Sequence, residues 1–249
     1  MNDDTVDQIS IINLPESVSI NHHNLIFNSL EMGAIVKGRI VREKRCIGYN
    51  YYYECENING SHTRLLKAVR SLCGFDIFYY FGNSLNYCGR IKSDILGSTY
   101  VLYKEINSQS IELAFVKYDV SFCSSNGPRS FITVIYGFNR NMNGPELKYK
   151  SSLKRAYKKK DYNSIVVLCN KKPFYNPETN SYVLNFNGRV TMPSVKNFQL
   201  IHPQDPAYIS MTFGKVGTNE FILDFQYPWC ALQGFCVGIS ALDYKIWCE

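Results

Sequence analysis

The side chains whose types and spacing could do chemistry in this chain are cations. Gly89-Arg90-Ile91-Lys92-Ser93 sets an arginine and a lysine two residues apart. In a strand, positions i and i+2 share a face, so Arg90 and Lys92 point outward together while Ile91 points inward. Leu147–Lys160 (LKYKSSLKRAYKKK) is the densest basic run, with Leu147, Leu153, Ala156 and Tyr157 as a thin apolar stripe at helical spacing. On residues alone, the strand pair reads as solvating charge and the run as a solvated surface helix. The functional alternatives for the run are contact with anionic membrane, contact with nucleic acid, or nuclear import. Catalytic chemistry finds little footing. The four histidines, His22, His23, His62 and His202, show no metal-ligand spacing, and the nine cysteines contain no C-x-x-C pair. There is no phosphate-cradling G-x-x-x-x-G-K-[ST] loop and no G-x-S-x-G elbow. A non-enzyme without metal or cofactor is expected.

The elements that must position these cations are mostly strands. Alternating, β-branched or aromatic runs recur at Ala34–Arg42, Tyr49–Cys55, Leu65–Val69, Phe75–Phe81, Tyr87–Lys92, Thr99–Tyr103 and Ile111–Tyr118. They continue at Phe131–Tyr136, Ser164–Cys169, Tyr182–Asn187, Phe198–Ile201, Tyr208–Phe213 and Phe221–Phe225. Turn residues such as Asn59-Gly60, Gly82-Asn83 and Gly217-Thr218-Asn219 separate many of them.

One element breaks this pattern. Pro228–Leu242 carries no charge and is apolar on every side of a helical projection, so a helix there must be buried. Pro228 suits its first turn. Gly234 and Gly238 bare one stripe, along which other backbone can approach. The run is shorter than the roughly 20 residues of a membrane span and holds Gln233 and Ser240. About a dozen short strands with one apolar helix predict a mainly β (α+β) chain: a closed antiparallel barrel around a central hydrophobic C-terminal helix. The alternative is a two-sheet sandwich with the helix outside, but an outside helix would show a polar face.

Charge divides the chain. Residues 1–32 hold five acidic residues and no Lys or Arg, so the formal +6 of the whole chain becomes +11 over 33–249. The expected organisation is an acidic, flexible leader over 1–32 and a barrel domain over 33–249. The N-terminus lacks a basic, secretory n-region, and the cysteine count is odd. An intracellular, reduced, monomeric protein is expected, its thiols serving mainly as small hydrophobes.

Two segments carry more than class. Asn185–Gln199 (NFNGRVTMPSVKNFQ) and Gly234–Glu249 (GFCVGISALDYKIWCE) resemble the two C-terminal signatures of the tubby-like family. Lys37–Arg45, Gly89–Tyr103, Gly127-Pro128-Arg129 and Asn170–Tyr175 fall in the family's order. The resemblance implies a twelve-stranded barrel closed on its C-terminal helix, and binding of phosphoinositides, chiefly phosphatidylinositol 4,5-bisphosphate. It assigns the headgroup to Arg90 and Lys92, in the reverse of the family's usual Lys-then-Arg order. Arginine offers a planar fork and lysine a point charge, so the exchange moves the fork and keeps the charge.

Relatives place a further headgroup arginine where this chain has Ser110. A family asparagine near Phe75–Phe78 has no clear counterpart, and the basic loop before it is thinned to Lys67 and Arg70. Two anchors support roughly millimolar to tens-of-micromolar binding, so weaker or less selective binding than in relatives is expected. Lys104, Lys117 and Arg129 are the auxiliary candidates.

The expected location is the inner face of the plasma membrane, with protein cargo unspecified. Because relatives have been proposed to act in transcription, a nucleic-acid-associated nuclear regulator is the alternative. The Asn185–Gln199 signature reads as structural: Gly188 for a turn, with Arg189, Lys196 and Asn197 satisfying backbone groups.

Overall fold

The computed structural model describes residues 19–106, 109–119, 129–137, 152–178 and 180–243. Its strands are β1 (Ile35–Val36), β2 (Gly38–Lys44), β3 (Tyr49–Glu56), β4 (His62–Ser71), β5 (Gly74–Phe81), β6 (Ser84–Ser93) and β7 (Thr99–Ile106). They continue as β8 (Gln109–Tyr118), β9 (Phe131–Tyr136), β10 (Ile165–Asn170), β11 (Phe174–Asn176), β12 (Ser181–Val183), β13 (Phe198–His202), β14 (Asp205–Lys215) and β15 (Glu220–Gln226). Three helices accompany them: α1 (Ser19–Phe27), α2 (Leu153–Lys158) and α3 (Ala231–Leu242).

The main sheet is an antiparallel meander whose last strand, β15, returns to pair with β2. β1 and β2 meet β15 in one register, Ile35 opposite Gln226 and Arg39 opposite Ile222, so they act as one strand interrupted at Lys37. Counted so, twelve strands close the ring. Closure leaves the barrel itself no edge to template association with another chain. The stretch read from sequence as a strand over Tyr182–Asn187 is not a stave of this barrel. Only Ser181–Val183 is extended, and it pairs with β11 in a separate two-stranded sheet.

α3 fills the lumen. Of its residues only Gln233 escapes full burial, which explains a sequence apolar on every side. Its glycines fit the closest approaches to the wall. A Cβ on Gly238 would lie 2.4 Å from Cδ1 of Ile40 and 3.3 Å from Phe213, while one on Gly234 would lie 3.4 Å from Phe225. The helix starts later than expected. Cys230 is the N-cap and Pro228 lies before it, because Gln233 folds back to accept the Cys230 N–H at 3.3 Å and fixes the first turn there.

Most polar groups in the core are paired, the Tyr53 and Thr133 hydroxyls being the exceptions among the described residues. Gln233 donates to the Leu113 carbonyl at 2.9 Å, Ser240 donates to the Val237 carbonyl at 2.7 Å, and the Tyr118 hydroxyl lies 3.0 Å from Ser240. Trp229 donates to Ser210 at 3.1 Å, and Ser210 donates to the Leu200 carbonyl at 3.1 Å. At the helix C-terminus the buried Asp243 carboxylate accepts from Tyr100 at 3.0 Å and from Arg70. Burial, with Asp243 beside it, pushes the Tyr100 hydroxyl well above its usual range. These bonds lock the end of α3 to β4 and β7.

Packing begins before residue 33. Leu25, Ile26 and Leu30 are buried in the main core, and the Leu30 N–H donates to the Trp229 carbonyl at 3.0 Å. The stretch read as a flexible leader over 1–32 therefore includes α1, which covers the end of the barrel where α3 enters. Acidic count does not reveal this; the apolar Leu25, Ile26 and Phe27 do.

Candidate functional site

β6 alternates as expected at its C-terminal half: Gly89 buried, Arg90 exposed, Ile91 buried, Lys92 exposed. Ile91 is wholly inside, so the barrel core fixes the strand that carries the two cations. Cys88 and Gly89 follow a register shift between Ile77 and Phe78, which re-aims the strand just before Arg90. Gly89 is required there, since a Cβ would lie 2.3 Å from the Tyr103 carbonyl oxygen of β7.

The pair is not two bare charges. Arg90 stands opposite Asp76 of β5, and its Nε donates to the Asp76 carboxylate at 2.7 Å. Asp76 raises the already high pKa of Arg90 further, with smaller contributions from Tyr87 and Glu105. Lys92 places its Nζ 5.2 Å from the centre of the Tyr103 ring. Tyr103 is also the cross-strand partner of Arg90, so it neighbours both cations. The outer wall thus carries a fork that a carboxylate holds in place and an ammonium lying beside an aromatic face. An incoming phosphate would have to displace or share Asp76 to use the fork. Sequence reading missed Asp76, although a carboxylate among Phe75–Phe78 on the outward phase of β5 was the available signal.

The auxiliary candidates separate. Lys117 is exposed on the outer wall, opposite Thr99 of β7. From the register it lies two strands and one alternation from Lys92, roughly 12 Å away. Lys104 does not belong with them. It is on the inward phase of β7, with Nζ 3.9 Å from the Phe27 ring of α1, and burial lowers its pKa. Arg129 is also structural, donating to the Ala241 carbonyl at 3.3 Å near the negative end of α3. Ser110 is exposed and pairs across from Glu105, so this position supplies no cation and faces an acidic side chain on β7.

The described part of the basic run is helical and packs outside the barrel. Leu153 and Ala156 of α2 are buried against Phe115, Val134 and Ile165, while Lys154, Arg155, Lys158, Lys159 and Lys160 face outward. Glu112 of β8 anchors its start, accepting from the Leu153 N–H at 2.7 Å and the Ser152 hydroxyl at 3.0 Å. Glu112 is opposite Tyr103, which is opposite Arg90. The basic helix therefore begins two strands from the cation pair, on the same wall. Lys148 and Lys150 lie outside the described residues, as do Gly127 and Pro128.

The Asn185–Gln199 segment behaves structurally, with one difference. Gly188 is at φ +76°, and Asn197 donates to the Met192 carbonyl and accepts the Lys215 N–H, each at 2.9 Å. Arg189 pairs not with backbone but with Asp224, through two 2.8 Å bonds. Among the thiols, Cys55, Cys88, Cys230 and Cys236 are buried, and burial pushes Cys55 and Cys88 up to about 12 and Cys230 to about 11. Most described thiols are thus buried as small hydrophobes; Cys46 and Cys73 are exposed. No described helix is long and apolar enough to cross a membrane.

Comparison with known proteins follows the same lines. The model of the Tub family matches residues 27–244. Protein king tubby of Drosophila sechellia is 32% identical over 92% of this chain and 56% of its own length. Protein king tubby of Drosophila melanogaster is likewise 32% identical over 92% of this chain and 54% of its own length. The chain spans about half the length of these relatives.

Proposed function

The chain belongs to the Tub family, and on that premise we propose that it is a non-enzymatic phosphoinositide-binding module that docks peripherally on the cytoplasmic leaflet. The observation that carries the reading is the exposure of Arg90 and Lys92 side by side over a buried Ile91. Adjacent phosphates on one inositol ring need two cations on one rigid face, and a strand pinned to a packed core supplies that. Lys117 and the outward face of α2 extend the positive wall, where each base near an anionic surface adds about 1 kcal/mol. The Asp76 partner and the neighbouring Glu105 support binding weaker than a bare cation pair would give. The test is co-sedimentation with vesicles carrying each phosphoinositide isomer, wild type against Arg90→Glu/Lys92→Glu. Wild-type binding should favour adjacent phosphates, and the double reversal should abolish that preference. Equal binding by both proteins would refute the site.

The exposed bases of α2 support a second reading, nucleic-acid association. It predicts steep salt dependence, indifference to sequence, and sensitivity to Lys154, Arg155 and Lys158–Lys160 rather than to Arg90 and Lys92.

A further inference from the structure

Antiparallel neighbours reverse direction, so every second hairpin returns to the same rim of the barrel. The β2–β3, β4–β5 and β6–β7 turns share the rim where α3 ends. Each carries an aliphatic side chain held out in solvent: Ile47 is 92% exposed, Leu72 completely, and Ile95 93%, with Leu96 beside it at 47%. Two of these turns touch, the Ser93 N–H donating to the Cys73 carbonyl at 3.0 Å. One exposed aliphatic residue is ordinary. Three on successive turns of one rim form a set of projecting points.

Cations stand just behind the points. Lys44 and Arg45 flank the first turn, Lys92 pairs with Gly74 at the foot of the second, and Lys117 pairs with Thr99 at the foot of the third. All four are exposed, and among the described residues none is ion-paired. Nearby carboxylates are engaged: Asp94 accepts from the Ser98 N–H at 2.7 Å and the Thr99 hydroxyl at 2.9 Å, Glu43 pairs with Arg64 at 2.6 Å, and Asp243 pairs with Arg70. Because the donors to Asp94 are neutral, Asp94 and Asp119 both remain as exposed countercharges.

We propose that this rim faces an anionic bilayer, with Ile47, Leu72 and Ile95 inserting below the headgroups. Lys44, Arg45, Lys92 and Lys117 then lie at the level of the phosphates. Separated apolar points with cations set back match the layering of a bilayer, where acyl chains lie beneath a charged surface. The inference rests on the membrane reading above and adds the orientation of the barrel and a binding contribution that salt does not screen.

The experiment uses the full chain and the variant Ile47→Ser/Leu72→Ser/Ile95→Ser. Partition is measured on phosphatidylcholine–phosphatidylserine vesicles with and without phosphatidylinositol 4,5-bisphosphate. Binding of soluble inositol 1,4,5-trisphosphate is measured in parallel by calorimetry. Full burial of a Leu or Ile side chain changes an affinity by roughly ten- to a hundredfold. The triple variant should therefore lose about tenfold or more in vesicle partition at both low and high salt, with unchanged trisphosphate affinity. In a separate Leu72→Trp protein, the emission added over wild type, which has Trp229 and Trp247, should shift to the blue on vesicle addition and be quenched by lipids brominated in the acyl chain; this decides the matter if the triple variant does not fold.

Wild-type partition by the folded triple variant, or unquenched emission from the Leu72→Trp protein, overturns the insertion. So does rim-dependent self-association in sedimentation velocity without lipid, which would make the rim a contact between copies. Failure of the wild type to bind the trisphosphate, with rim-dependent partition intact, sinks the headgroup reading and sustains this one. Failure to bind any vesicle overturns both.

Discussion

Gly238→Ala and Gly234→Ala make the same chemical change one helical turn apart and should move stability in opposite directions. Alanine is favoured over glycine within a helix by about 1 kcal/mol. At Gly234 the added methyl lies 3.4 Å from Phe225 and 3.5 Å from Met211, ordinary van der Waals distances, so that gain should be kept. Gly234→Ala is expected to stabilise by about 0.5–1 kcal/mol. At Gly238 the methyl lies 2.4 Å from Cδ1 of Ile40 and 3.3 Å from Phe213. Ile40 is wholly buried in the core, so its δ-methyl can yield only within packed surroundings. Overpacking of this kind costs about 1–3 kcal/mol, so Gly238→Ala should be less stable than wild type by up to about 2 kcal/mol.

Ile40→Val removes the clashing methyl. Alone it should cost about 0.5–1.5 kcal/mol, whereas in the Gly238→Ala background it should restore stability. Urea denaturation followed by tryptophan fluorescence, to which the buried Trp229 contributes, measures wild type and the four variants with a common slope. If Gly238→Ala proves as stable as Gly234→Ala, or Ile40→Val fails to rescue it, the helix is not sheathed by the wall on that side.

Two further outcomes follow from the charge pairs. Asp76→Asn keeps the side chain's shape but releases the Arg90 fork, so vesicle binding should tighten by roughly two- to fivefold, the range an exposed ion pair spans. Unchanged or weaker binding would mean that Asp76 orients the fork rather than competing for it. Glu54 titrates the barrel seam. Burial alone would raise its carboxyl, but Arg64 and Arg39, each donating at 2.8 Å, outweigh that and hold it below its ordinary value of 4.5. Because the folded state holds the proton less tightly, this contribution is complete above about pH 4.5 and is lost as pH falls through the depressed value. Glu54→Gln should therefore flatten part of the acid decline in unfolding free energy; an unaltered acid limb would remove Glu54 from the account.

What the sequence determined by itself is whatever depends on local pattern. Period-two runs gave the staves, an uncharged fifteen-residue stretch required burial on all sides, and the alternation through Arg90, Ile91 and Lys92 assigned their faces. These follow from strand and helix geometry alone, without knowledge of neighbours. What only the tertiary structure decided depends on which strands pair and in what register. Asp76 meets Arg90 because β5 pairs with β6 in one register rather than the next. Lys104 lies inward under Phe27 because α1 folds over the end of the barrel, and Arg129 is drawn to the last turn of α3. Cross-strand and end-on partners are far apart in the chain, so no spacing within it records which cation is free for a ligand and which one the fold already uses.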